Sequence, residues 1–241
     1  MKNHHPHIKI YHSKRHLAAT FAFLLLPFLV LLTFSEFTRI PINRLVFDTG
    51  ISIFRLFAAY IIATALGWLF ATSFYSGRRA AIMLPIFDVL QSFPTFAALP
   101  LAVLAWGSNG FIVIFFLALA IIWPVFFSVV SSLKLIRKDW QEVLAIYKPS
   151  RIRYITKFVL PVSWPGLITG SIVGLGDGWE ALVATEIIIK TKTGLGSFFS
   201  SVADNPYSTT LAILALLTLV FSINKLIWLP LLERSHRLLE E

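Results

Sequence analysis

Four carboxylates stand where the surrounding sequence is almost entirely apolar: Asp88, Asp177, Glu180 and Glu186. Polar neighbours accompany them at helical spacing. Asp88, Gln91, Ser92 and Thr95 share roughly one helix face, and Trp179 stands beside Glu180. A carboxylate deep in a bilayer costs about 2.5–3.5 kcal/mol on insertion scales, so such groups line water, pair with a cation, or sit near the end of a span. Three chemistries fit: the lining of a solute path, a proton relay, or structural pairing with Arg55 or Lys225, which lie within or near the same apolar runs. An intramembrane enzyme using Asp88 and Glu186 is the rival class. No nucleophile–base–orienter set and no metal-ligand spacing accompanies these residues.

A second stretch is built differently. "EVLAIYKPSRIRYITKFVLP", residues 142–161, is basic and amphipathic. Asp139 and Glu142 open a helical pattern, where negative charge suits the helix dipole. Trp140, Val143, Leu144 and Tyr147 recur at helical spacing as one apolar face. Pro149 disfavours helix at Lys148, and Ser150 is placed to cap a second helix. That helix carries Arg151, Arg153 and Lys157 on one side and Ile152, Ile155 and Phe158 on the other. Pro161 is expected to end or kink it. The pattern predicts helix, turn, helix, lying across a membrane face. Anionic lipid and a docked protein are both suitable partners for such a surface.

The elements that position these residues follow from composition. Of 241 residues, 57% are hydrophobic, and mean hydropathy is +0.78. A soluble domain is about 45–50% apolar, so the bilayer is the expected solvent. A spanning helix needs about 20 mostly apolar residues. Six runs qualify: Leu17–Phe34, Ile53–Phe74, Ala81–Trp106, Phe111–Leu133, Gly166–Ile189 and Thr210–Leu232. The first has a basic front but no small-x-small cleavage site, and is expected to be a retained span. The fold class is therefore an all-α integral membrane protein with six transmembrane helices. Its expected parts are a basic tail (1–16), one transmembrane domain (17–232) containing the 134–165 loop, and a short tail (233–241).

The formal charge is +9. Fifteen of the basic residues fall before span 1, after span 2, between spans 4 and 5, or in the tail, against four in the alternate loops. That is an orientation signal placing both termini in the cytoplasm, and no continuous basic face for nucleic acid is formed. The chain has no cysteine, which excludes disulfides and thiolate chemistry. Five of the six histidines crowd into the first 16 residues, without acidic companions. A lipid-facing tail is expected there, and no metal site.

Two further patterns bear on helix geometry. Pro85, Pro94 and Pro100 interrupt span 3, and discontinuous helices either line cavities or are simply kinked. Gly166, Gly170 and Gly174 repeat every four residues in span 5. Small residues let helix backbones approach closely in lipid, either between two copies or within one.

The 142–161 stretch resembles the cytoplasmic "EAA" loop of ABC importer permeases, with Glu142, Leu160 and Pro161 at matching spacing. The likeness runs from about residue 50 to 235 and includes "FRLFAAYIIATALGWLFA", "PIFDVLQSFPTFAALPLAVLAWG", "LPVSWPGLITGSIVGLGDGWEALVATEII" and "GLGSF". It is closest to the subgroup for nitrate, sulfonate, taurine or bicarbonate, which also has members for thiamine precursors. The resemblance implies a coupling helix at Asp139–Tyr147 docking on an ATPase subunit dimer, with Lys148 and Ser150 at its turn. It implies an extracytoplasmic solute-binding protein, a second permease copy, and a bacterial inner-membrane location. Asp88, Gln91, Ser92, Thr95, Trp179, Glu180 and Glu186 become candidates for the translocation path. The chain has no G-x-x-x-x-G-K-[ST], so ATP and magnesium belong to the partner and no cofactor is expected on this chain. Val143 and Leu144 replace the family's alanines, and Lys148 stands at its signature glycine.

Overall fold

The computed structural model describes residues 42–228 apart from residue 137, together with 21–22, 25–26, 29 and 230–231. The expected first span and both tails lie largely or wholly outside them, as does the end of the expected last span. Among the described residues all regular structure is helical. Helix α1 is Ile42–Phe74 and α2 is Gly77–Gln91. A 3-10 turn (Thr95–Ala98) leads to α3, Leu99–Trp106. Then come α4 (Gly110–Lys134), α5 (Lys138–Tyr147) and α6 (Arg151–Tyr154). A π-turn (Ile155–Val159) joins α6 to α7, Leu160–Ile189. Helix α8 is Leu195–Val202, and α9, Pro206–Ile223, continues into a π-turn at Asn224–Trp228.

Four of these stretches are long and apolar enough to cross a membrane, or five if the bent α2–α3 pair is one span. The protein is thus a multi-pass membrane protein by length and composition. The third expected span is not one rod: its halves meet at 66°. Pro94 lacks the N–H that would continue α2, and the chain leaves helix at Ser92–Pro94 before resuming. Pro161 does not end its helix. Arg151–Ile189 runs on for 39 residues, because Pro161 is the second residue of α7 and the carbonyl four residues before it, at Lys157, lies in the wider π-turn, which makes room for its ring. The segment after Pro149 is therefore the lead-in to the span rather than a separate surface helix.

Helix α4 is the centre of the bundle. Its N-terminus is set by Asn109, whose side chain accepts the Ile112 N–H at 3.1 Å. Leu117, Ile121, Val125 and Val129 recur every four residues and are fully buried. In lipid there is no hydrophobic drive between helices, so close backbone approach does the work. Helix α7 supplies it. A Cβ on Gly166 would lie 2.5 Å from the Ser128 carbonyl, and one on Gly170 would lie 2.6 Å from Val125 Cα. One on Gly174 would meet Ile121 at 3.1 Å. All three glycines thus face α4 of the same chain. Helix α1 closes the other side, with polar rungs to α7: Trp68 Nε1–H donates to Ser163 Oγ, and the Tyr60 and Ser171 hydroxyls pair, each at 2.8 Å.

The turn after α5 is closed by the Lys148 N–H donating to the Leu144 carbonyl at 3.0 Å. Lys148 takes φ = 44°, the left-handed region. Ser150 does not cap through its side chain; its carbonyl accepts the Tyr154 N–H instead. A non-glycine residue in that region carries a penalty of roughly 1–2 kcal/mol. Lys148→Gly is therefore expected to stabilise the protein by about 1 kcal/mol, read as a raised melting temperature in detergent. A lowered one would show that the lysine side chain contributes more than its backbone costs.

Candidate functional site

Three places in the bundle bring polar chemistry together. The first is a cavity of 570 Å³ beside the break between α2 and α3. Gln91 and Thr95 reach it from either side of the break, and Trp123, Phe127 and Ser128 from α4. Helix α7 contributes Asp177 and Glu180, three residues apart and so on one face. Both are exposed, in line with Val173 and Thr169 on a face of α7 that none of the described residues covers. Gln91 also donates to Asp88 Oδ1 at 2.7 Å, and the Ser92 hydroxyl donates to the Asp88 carbonyl. Asp88 and Ser92 are exposed but do not line the cavity, and Trp179 is buried in the core.

A second cavity, of 660 Å³, adjoins the first and shares Phe127 and Ser128 with it. It continues along α4 and α7 past Ser131, Ser132 and Thr169 to Trp140, at the α5 end. Together the two form a groove along one side of the α4–α7 pair, with hydroxyls along its length and carboxylates at its far end. Helix α5 stands at its mouth. Val143, Ile146 and Tyr147 are 61%, 84% and 69% exposed, whereas Leu144 is half-buried. Trp140 packs edge-on to Phe158, Phe158 stacks on Tyr154, and the Tyr154 hydroxyl meets that of Tyr75 at 2.9 Å. An aromatic chain thus joins α5 to the π-turn and to the segment just past α1.

The third place is at the opposite, α8 end. Glu186 is completely buried. Arg55 Nη1 donates to its Oε1 at 2.5 Å, and the Ser52 hydroxyl lies 2.9 Å from both carboxylate oxygens. Three successive backbone amides of the following loop are each taken by a side chain. The Gly194 N–H donates to Asp48, Leu195 N–H to Ser52 Oγ, and Gly196 N–H to Glu186 Oε2, at 2.8–2.9 Å. Arg55 also donates to the Thr193 carbonyl at 3.0 Å. A Cβ on Gly194 would lie 2.5 Å from both Glu186 carboxylate oxygens, so the loop backbone rests directly on the carboxylate. Breaking such a buried pair by deleting one partner costs about 3–5 kcal/mol.

The structure thus brings Gln91, Thr95 and Glu180 into one cavity, joined by Asp177, and places Glu186 elsewhere, with Arg55. Lys225 sits over the Phe221 ring, 5.7 Å from its centroid. Asp48 and Ser52 lie just before the expected second span, which begins at Ile53, whereas the helix itself begins at Ile42. The signal was their spacing: Arg44, Asp48, Ser52 and Arg55 fall on one helix face. Ile146 was hidden because residues 140–147 admit more than one apolar face. Among the described residues no group of His, Asp and Glu side chains is arranged to hold a metal ion.

Residues 63–237 match the family described as binding-protein-dependent transport system inner membrane component. The chain is 28% identical over 155 residues to a bicarbonate transport system permease protein of Synechococcus elongatus, covering 64% of this chain and 56% of that one. It is 33% identical over 133 residues to a nitrate import permease protein of Leptolyngbya laminosa, covering 55% and 47%. It is 31% identical over 157 residues to a taurine transport system permease protein of Escherichia coli, covering 65% and 56%. The matched stretch spans about half the length of these relatives.

Proposed function

The chain belongs to the family of binding-protein-dependent transport system inner membrane components, and we propose on that premise that it is the membrane-spanning subunit of an ATP-driven importer. The observation that carries this reading is the groove along α4 and α7, open beside a helix, α5, whose apolar side chains are bare. The groove is the solute path. Helix α5 is the coupling element that seats on an ATPase subunit, which supplies the ATP and magnesium sites this chain lacks. The uncovered face of α7 holds two carboxylates that lipid would not tolerate; a second copy of the chain, sharing the path, covers it. The α5 end and both termini face the cytoplasm in this reading, which the crowding of basic residues at the α5 end supports. The α8 end then faces the solute-binding protein. Closure of the ATPases pushes α5, and the aromatic chain passes the movement to the lead-in of α7.

The relatives' solutes make a small anion the first choice of cargo. One observation favours a second reading. Asp177 and Glu180 line the path, and among the described residues no basic side chain lines it with them, which suits a neutral or cationic solute, or one carrying an amine beside its acid group. The test is uptake into vesicles holding this chain with its ATPase and binding protein, across anionic, neutral and cationic solutes. Glu180→Gln and Asp177→Asn are expected to cut uptake of an amine-bearing solute about tenfold, the loss of one charge-assisted hydrogen bond. For an anion they leave uptake unchanged or raise it. Uptake that survives ATP depletion and collapses with the proton gradient would instead indicate a secondary transporter.

A further inference from the structure

We infer that Glu186, Ser52 and Asp48 hold the 190–205 hairpin against α1 and α7 throughout the transport cycle, so that the hairpin travels with those helices as one rigid unit and does not swing as a gate. This rests on the transport reading above. The segment follows α7, which lines the path with Asp177 and Glu180, and sits at the end where solute arrives, the place where a moving flap would be expected. Its anchoring argues against one. Amides 194, 195 and 196 are each donated to a different buried side chain, two on α1 and one on α7. These three amides form the N-terminus of α8, and the carboxylates of Asp48 and Glu186 lie against its positive end. Arg55 binds Glu186 and the Thr193 carbonyl at once, bridging helix and loop. Beyond the clamp, Phe198, Phe199 and Val202 are buried.

Lifting the hairpin would strip Glu186 and Asp48 of their amide donors together and open an apolar seam beneath α8. Glu186 would keep Arg55 and Ser52, and Asp48 would keep Arg44 at 3.6 Å, but the three loop amides would lose their buried acceptors at one stroke. Gly194, at φ = 115°, leaves no space for a side chain between loop and carboxylate, and Gly196 none between loop and the Glu186 main chain, so the joint has no slack. Glu186, Ser52 and Asp48 are accordingly positioning residues: they touch no solute and fix the surface on which solute delivery acts relative to α7.

The experiment uses the reconstituted complex with its ATPase and binding protein. Hydrogen exchange is followed for the peptide spanning 190–199, nucleotide-free and with ATP trapped. Amides 194–196 are expected to be protected equally in both states. Faster exchange in either state by about tenfold or more, an opening made cheaper by one decade, overturns the proposal. The second arm uses Ser52→Cys with Leu195→Cys in this naturally cysteine-free chain. The 2.8 Å Ser52–Leu195 hydrogen bond keeps the two α-carbons within disulfide reach, about 6.8 Å at most. Oxidation is expected to form the bond and leave ATP-driven uptake within about twofold of the reduced protein, a negligible change in barrier. Failure to form the bond, or uptake arrested by oxidation and restored by reductant, overturns the rigid unit. Absence of ATP-driven uptake in the unmutated complex refutes the transport reading instead.

Discussion

Ile146→Asp is expected to strip the ATPase subunit from the complex while leaving the membrane bundle folded. Ile146 is 84% exposed, so its replacement disturbs nothing inside the chain. At an interface it would be an apolar anchor flanked by Val143 and Tyr147. Placing a charge in such a contact costs about 2–4 kcal/mol, roughly 30- to 1,000-fold in affinity. Leu144→Asp makes the comparison. Leu144 is half-buried, so that change should loosen α5 itself and lower the yield of folded protein as well as docking. Co-purification of the ATPase with each variant separates the two effects. Undiminished co-purification and transport in Ile146→Asp would remove α5 from the docking role. The surface would then be left to lipid, which binds without regard to an ATPase partner.

Arg55→Met is expected to be the most damaging single change at the α8 end. It leaves the fully buried Glu186 carboxylate with no cation, a loss of about 3–5 kcal/mol. The double change Arg55→Met with Glu186→Met removes both charges and should recover part of that loss. Recovery stays incomplete because Glu186 also accepts from Ser52 and from the Gly196 N–H, and a buried amide without an acceptor carries its own penalty of about 1–3 kcal/mol. The measurement is the melting temperature of the detergent-solubilised protein for the two singles and the double. If the double is as unstable as the sum of the singles, the pair does not act as a unit.

The long apolar runs were legible because span length is dictated by bilayer thickness, and five of the six expected spans have helices at their places. Geometry within the runs was less so. Pro94 and Pro161 carry the same signal in a sequence, yet one accompanies a sharp bend and the other lies in a continuous helix, because only the second follows a π-turn. The carboxylates make the same point. Asp88, Glu180 and Glu186 all read as acids in oil, but Glu186 alone has an arginine and a loop amide folded onto it. Those partners lie 131 residues before it and 10 after it, separations that no local pattern encodes. The glycine repeat announced a close approach without saying to what.

That repeat has a consequence for how the sequence can change over generations. At Gly166 and Gly170 the atoms a side chain would strike include main chain: the Ser128 carbonyl and Val125 Cα. Every amino acid carries those atoms, so no second substitution can make room, and these positions are closed to drift. At Gly178, nearer the α8 end, the obstacles are the tips of Leu56 and Ile121. Trimming one of them would admit an alanine there. The helix pair is therefore frozen in ancestry where it enters from α5 and open to paired replacement towards α8, and lineages of this protein should diverge at 56, 121 and 178 together while 166 and 170 stay as they are.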